Sequence, residues 1–226
     1  MKTIIKSAIA VTAVCLLAGC ETTGLSPRES SGTTYQSYVM NLQSGSTNAP
    51  QKVSLPLRLA VAQVGEAAPP EVMLDKLAEN KKLVASVSGL PLPGDVYSDS
   101  QDYPTRIKTI CNLARTTGAN FVFLFGGSMD SWQQNNSWSV LDATLVGGAI
   151  FPGTKIHIEG KASGALICAT NCQPVLFVNT EARQTAFSPD YFAEGKTTGV
   201  RAEVRDQLAA KLTEQLMERL PEISTH

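Results

Sequence analysis

Cysteines are the residues of this chain whose types and spacing could most directly do chemistry. The 226 residues include five, and four of them (Cys20, Cys111, Cys168 and Cys172) follow position 19. Cys168 and Cys172 bracket Ala-Thr-Asn at a predicted hairpin end, so a disulfide is sterically possible if their Cα atoms approach to about 5.5 Å. A redox-active pair usually has C-x-x-C spacing at a helix start. We therefore predict a structural bridge between Cys168 and Cys172, with free thiols as the alternative.

The chemistry predicted for Cys20 is lipidation. Residues 1–17 combine two lysines with an apolar run that is too short to span a bilayer, which is typical of a signal peptide. Residues 17–20 read Leu-Ala-Gly-Cys and look like a bacterial lipobox, in which the cysteine thiol accepts a diacylglycerol. We predict cleavage before Cys20 and attachment to a membrane through its lipid. A plain secretory signal or an N-terminal anchor helix is the alternative.

The residue after the lipobox bears on location. Lipoproteins retained at the inner membrane often carry Asp after the lipidated cysteine, whereas this chain has Glu21. By that resemblance the sequence favours the outer membrane of a Gram-negative bacterium, with the protein facing the periplasm.

Catalytic and metal-binding patterns are scarce. The chain has two histidines, and His157 alternates with two isoleucines, which places it on the polar face of a strand. The acids Asp130, Asp142, Glu159 and Glu181 show no spacing that pairs two of them for acid–base work. We predict no catalytic residues, no metal, no cofactor and no enzymatic activity. An envelope hydrolase or thiol-redox protein is the alternative, with its chemistry carried by Cys111 or by the Cys168/Cys172 pair, although Cys111 is predicted to be a small buried hydrophobe.

Charge excludes another class of partner. Lys and Arg total 19 and Asp and Glu total 20, which gives a net charge of −1. Removal of the two signal-peptide lysines makes the mature chain more acidic. A chain with this balance has no general attraction to nucleic acid, so no nucleic-acid partner is predicted.

Aromatic residues are the best candidates for contact with a partner protein. Trp132 and Trp138 flank Gln-Gln-Asn-Asn, a predicted turn, so both would lie near one hairpin tip. Tyr35 and Tyr38 share one face of a short predicted helix in an otherwise polar segment. Alternatively, the two tryptophans cap the edge of the core, and the two tyrosines pack on the chain's own domain.

The elements that must position these residues form one α/β domain. We predict a signal peptide over 1–19, a lipidated flexible tether over 20–52 and a globular domain over 53–226. The domain opens β-α-β-α-β, with strands over 57–64, 83–90 and 120–125 and helices over 71–82 and from Asp102 to Gly118. An antiparallel meander follows, over 137–150, 155–169 and 174–187. A last helix over 197–220 carries an apolar residue at every fourth position, and we expect it to pack on the sheet. Self-association through that stripe, giving a homo-oligomer, is the alternative.

The order of these features resembles a fold group of bacterial envelope lipoproteins. The features are the lipobox, the tether, the strand LRLAVAQV, the helix ending in Gly-Ala-Asn and the strand FVFLF. The group includes the curli-secretion-channel lipoprotein and the lipoprotein activator of penicillin-binding protein. Residues 145–153 (LVGGAIFPG), the strand pair ending in PVLFVN and the long last helix resemble the rhombotarget lipoprotein group more closely. The resemblance implies an α/β domain anchored in the envelope and brings no catalytic residues.

Overall fold

The computed structural model describes residues 29–31, 53–66, 68–92, 102–135, 154–189 and 192–224. Within them a mixed sheet has the strand order β3-β2-β4-β5-β6, and β1 pairs with the far part of β4. The predicted α/β class, with a β-α-β-α-β opening, an antiparallel meander and a long last helix on the sheet, is confirmed. The elements are β1 Glu29–Ser31, β2 Leu57–Gln63, α1 Glu71–Glu79, β3 Val84–Gly89, α2 Tyr103–Thr116, β4 Phe121–Asn135, β5 Thr154–Cys168, β6 Gln173–Ser188, α3 Ala193–Arg219 and a 3-10 turn Pro221–Ile223.

The first half of the sheet is parallel and covered on both faces. β2 pairs in parallel with β3 on one side and with β4 on the other. Right-handed crossovers that move in opposite directions along a sheet place their helices on opposite faces. Accordingly, α1 packs against the face that carries Phe121 and Phe123, and α2 packs against the face that carries Val122 and Leu124.

Helix α2 is positioned as its local sequence predicts. Asp102 is the N-cap residue, Pro104 lies in the first turn, and Gly118 adopts a positive φ of 79° just beyond the C-terminus. The residues predicted to face inward, including Cys111, are buried.

In helix α1 the buried residues differ from the prediction. Val72, Leu74, Leu77 and Ala78 were predicted to face inward, but Met73 and Leu77 are the fully buried pair. The helix ends at Glu79 rather than Lys82. A nine-residue helix between β3 and α3 buries one narrow i, i+4 stripe, which is why the wider predicted face is only partly covered.

Strand β4 is much longer than the predicted strand over 120–125. It continues through Gly126 and Gly127 to Asn135, and its 15 residues pair antiparallel with β5 from Thr154 to Cys168. Gln133 and Gln134 therefore lie within a strand, so the prediction of a turn there is wrong. Local turn propensity is overridden because pairing with β5 satisfies the backbone groups along the whole strand. The predicted strand over 137–150 lies outside the described residues.

Helix α3 covers the same face of the sheet as α1. Its apolar stripe is buried, so this surface is used for packing on the sheet and not for self-association; the residues are Val200, Val204, Leu208, Leu212, Leu216 and Leu220. Gly160 of β5 permits this close approach. A Cβ atom there would lie 2.7 Å from Leu208 Cδ1 and 2.9 Å from Val204 Cγ1.

A short strand lies within the segment that composition predicts to be a flexible tether. Glu29–Ser31 pairs antiparallel with Met129–Ser131 of β4. β2 pairs with β4 only as far as Phe125. Beyond that residue, β1 pairs with the edge of β4 that β2 leaves uncovered. At the other end of the domain Val53 N donates to Ile223 O at 3.0 Å, which brings the two ends of the folded part together. No helix in the described part of the chain is long and apolar enough to cross a membrane.

Candidate partner-binding surface

One face of the antiparallel half of the sheet has no helix on it among the described residues. Side chains alternate along a strand, so the face opposite α3 receives every second residue of β4, β5 and β6. α2 covers this side only near its parallel end, around Val122, Leu124, Ala165 and Ile167. The remainder, which we call the open face, consists of Ser128, Asp130, Trp132, Gln134, Lys155, His157, Glu159, Lys161, Glu181, Arg183, Thr185 and Phe187.

Charged residues occupy the two rows of the open face nearest α2. Asp130, Glu159 and Arg183 are cross-strand neighbours in one row, and Lys161 and Glu181 are neighbours in the next. Arg183 Nη2 lies 3.2 Å from Glu159 Oε1, and Lys161 Nζ lies 3.6 Å from the same oxygen. The Glu159 side chain is only 16% exposed, whereas that of Arg183 is 66% exposed. Exposed ion pairs contribute little to stability, about 0–1 kcal/mol each, so the main consequence of this network is that charges of both signs lie side by side on the surface.

Aromatic residues occupy the other two rows. The rings of Trp132 and His157 stack with their centroids 5.3 Å apart and an interplanar angle of 11°. Thr185 Oγ1 lies within hydrogen-bonding distance of His157 Nδ1, at 3.2 Å. In the last row Lys155 Nζ lies 6.0 Å from the centre of the Phe187 ring, and Phe187 is 55% exposed. The open face therefore presents aromatic surface beside paired charges.

The pKa of His157 is lowered from its ordinary value of 6.5 by partial desolvation and by the Lys155 ammonium group. The folded protein thus disfavours the protonated ring, which keeps the Trp132 stack neutral at neutral pH. The unfolded chain therefore binds a proton at this ring more readily than the folded protein does. As a result, the free energy of unfolding decreases as the pH falls below the pKa of the unfolded state.

Replacement of His157 with glutamine should therefore reduce the loss of stability between pH 7.5 and pH 5.5. The measurement is the urea midpoint at each pH for the wild type and the variant. His226→Gln provides the control for loss of a histidine elsewhere. Equal pH dependence of the wild type and His157→Gln would show that folding does not lower the pKa of His157.

The structure places one of the predicted contact residues on the open face. Trp132 lies within β4 opposite His157, not at a hairpin tip. Cys20, Tyr35, Tyr38 and Trp138 lie outside the described residues. The charged rows were not predicted as a site, although the alternation of polar or charged residues with apolar or small ones over 155–161 and 181–183 indicates a polar strand face.

For the Cys168/Cys172 pair the structure has the stated alternative, free thiols. Cys111, Cys168 and Cys172 are free thiols in the structure, so the bridge expected between Cys168 and Cys172 is not formed there. Burial and a hydrogen bond with the Cys172 side chain raise the pKa of the Cys111 thiol well above its usual range. A catalytic thiol must reach the thiolate form, which this environment opposes.

A concave region lies between the end of β2, the start of α1 and α3. It has a volume of about 340 Å³ and is lined by Gln63, Glu66, Glu71, Arg205 and Asp206 among others. Three carboxylates against one guanidinium oppose anion binding at the helix start. Across the described ranges no three His, Cys, Asp or Glu side chains are grouped so that they could hold a metal ion.

Comparison with known proteins gives structural neighbours only. No protein-family model matches the chain, and no curated protein matches it. The PelC dodecamer from Paraburkholderia phytofirmans is similar at 12% identity, with 79% of this chain and 96% of that chain covered and a TM-score of 0.35. A minor lipoprotein from Acinetobacter baumannii (7% identity, 74% and 92% covered, TM-score 0.37) and a protein from Xanthomonas campestris (10% identity, 76% and 86% covered, TM-score 0.32) are also similar.

A lipoprotein is thus among these neighbours, but at such identities the function of this chain has to be argued from its own residues. The three structures do not include the rhombotarget, curli-channel or penicillin-binding-protein-activator groups, and the resemblance to those groups stays a prediction.

Proposed function

We propose that this chain is a non-enzymatic lipoprotein, anchored through Cys20 in the outer membrane of a Gram-negative bacterium, whose domain faces the periplasm and binds another envelope protein through the open face. The open face is the observation that carries the proposal. The same three strands are buried under α3 on one side and present charged and aromatic side chains on the other.

The chemistry of the open face favours a protein partner. Its three acids, Asp130, Glu159 and Glu181, are balanced by Lys155, Lys161 and Arg183. A balanced face gives no net attraction to anionic lipid headgroups or to a polyanion. Alternating charges beside an aromatic pair suit a polar protein surface that offers complementary charges and an apolar patch.

The position of β1 limits the distance between this surface and the membrane. Nine residue steps separate Cys20 from Glu29, and an extended chain spans at most about 3.6 Å per residue. With β1 paired to β4, a lipid on Cys20 would hold that edge of the sheet within roughly 30 Å of the bilayer. The proposed partner therefore lies close to the membrane surface.

Site-specific photocrosslinking in living cells tests this proposal. A photoreactive phenylalanine analogue at Thr185, an exposed position on the open face, should give one discrete crosslinked species with another envelope protein. The same residue at Lys108, an exposed position on α2, is the matched control and should not give it. Arg183→Glu together with Lys161→Glu should lower the yield from Thr185 about tenfold, which corresponds to a loss of about 1.4 kcal/mol of binding free energy.

Circular dichroism of the charge-reversal variant checks that it remains folded. Equal crosslinking from Thr185 and Lys108, or a yield unaffected by the two reversals, would contradict binding through the open face. Crosslinks to lipid alone would assign the surface to the membrane instead.

Homo-oligomeric assembly is the second candidate function, and one feature of the sheet favours it. β6 is 16 residues long and, within the described residues, pairs with β5 only. A long unpaired strand edge can pair with a second copy of the same chain. A crosslink between two copies, with a large particle on sizing after detergent extraction, would support this candidate; a monomer would exclude it.

A further inference from the structure

Two cysteines that are far apart in the sequence lie together on the α2 side of the sheet. Cys111, on the inner face of α2, belongs to the apolar cluster between α2 and the sheet, and Cys172 packs against the same cluster from the turn between β5 and β6. Cys172 is also one of the groups close enough to Cys111 to raise the pKa of its thiol. Cys111 is fully buried, whereas Cys172 is partly exposed.

The turn separates Cys172 from its neighbour in sequence. Cys168 is paired with Phe121 and belongs to the cluster on the opposite, α3-bearing face of the sheet. The chain then reverses, with Cys172 N donating to Cys168 O at 2.8 Å and Cys172 in the left-handed region at a φ of 57°. The backbones of Cys168 and Cys172 are close, but their side chains pack against different apolar clusters.

We propose that Cys111 and Cys172 are a disulfide-forming pair that ties α2 to the β5–β6 turn, and that Cys168 remains a free buried thiol. Two S–H bonds break and one S–S bond forms, with the release of two protons and two electrons. The electrons reduce the disulfide of an exported thiol oxidoreductase or of oxidised glutathione to two thiols, which take up the protons.

Exposure fixes the order of the two steps. Cys172 is the thiol that an external disulfide can reach, so it forms the mixed disulfide first. Cys111 then attacks the Cys172 sulfur and releases the reduced carrier. The raised pKa of the Cys111 thiol makes this second step the slow one and increases its rate at alkaline pH.

Peptide mapping without reduction tests the pairing. The full chain is exported in a Gram-negative host, extracted in detergent, blocked with N-ethylmaleimide and cleaved with trypsin; a second sample is first oxidised in vitro with glutathione disulfide. Trypsin places Cys111 in peptide 109–115 and both other cysteines in peptide 162–183. We expect these two peptides to be linked. Cys168→Ser should keep the link, and Cys172→Ser should abolish it.

The bridge closes a loop of about 60 residues, so the oxidised protein should melt roughly 5–15 °C higher than the reduced protein.

The outcomes separate this inference from the proposed function. An internal Cys168–Cys172 bond in peptide 162–183, or three alkylated cysteines even after oxidation in vitro, would overturn the pairing. The link in vitro supports the pairing whether or not the chain is exported. If the link forms in vitro and is absent from cells, the pairing stands and the proposed periplasmic location is contradicted.

Discussion

Replacement of Gly164 with valine is expected to destabilise the domain by about 3 kcal/mol, at the upper end of the range for overpacked cores. Gly164 lies in the middle of β5, between Phe125 and Val178. A Cβ atom at this position would lie 2.6 Å from Cε2 of Phe123 and closer still to Cζ. Phe123 is fully buried and stacks on Phe125 with centroids 5.9 Å apart, so its ring has no free space to enter. Urea unfolding followed by circular dichroism measures the change.

A matched glycine substitution and a double-mutant cycle establish the cause. Gly199 lies in α3 with nothing within 4 Å of an added Cβ atom, so Gly199→Ala should stabilise the protein by about 0.5–1 kcal/mol. Phe123→Leu shortens the side chain over Gly164, so it should make Gly164→Val less costly, with a coupling energy of about 1 kcal/mol or more. Strictly additive effects of the two core substitutions would show that the ring contact is not what excludes valine.

Elements set by local signals were predictable from the sequence. Helix α2 has Pro104 in its first turn and ends before Gly118, because the fixed φ of proline and the positive φ of glycine act within a few residues. The buried stripe of α3 follows from its own periodicity, and the polar side of β5 follows from alternation around His157. In each case the signal and the structure it specifies lie in the same short segment.

The features that were missed depend on distant residues. Residues 126–135 contain glycines and a polar run that indicate a turn, and only pairing with β5 makes them a strand. The open face exists because α3 packs on the opposite side of the sheet. The sequence of residues 128–134 alone does not indicate which side α3 covers. The packing of the cysteines is likewise not a local property, because Cys168 and Cys172 are four residues apart in the sequence but contact different apolar clusters.

Loss of the proposed lipid site should have an all-or-none effect on location. Cys20→Ala removes the thiol that would carry the diacylglycerol, and burial of acyl chains contributes about 0.8 kcal/mol per CH₂ group to membrane binding. The open face carries no excess of positive charge that would bind an anionic bilayer. We therefore expect the variant to leave the membrane fraction almost completely, while circular dichroism shows the same fold. Carbonate washing and density-gradient fractionation make the measurement, with the wild type expected at outer-membrane density.

Cys15→Ala is the matched control, because it removes a cysteine from the predicted signal peptide and leaves Cys20 in place. It should fractionate as the wild type does. If Cys20→Ala remained in the carbonate-washed membrane, the anchor would have to be the N-terminal apolar segment itself. The roughly 30 Å limit between the bilayer and β1 would then no longer apply, because the point of attachment would move from Cys20 to an earlier residue. The distance between the open face and the membrane therefore depends on the Cys20 thiol. If the partner is itself held at the membrane, Cys20→Ala should also abolish the crosslinks from Thr185.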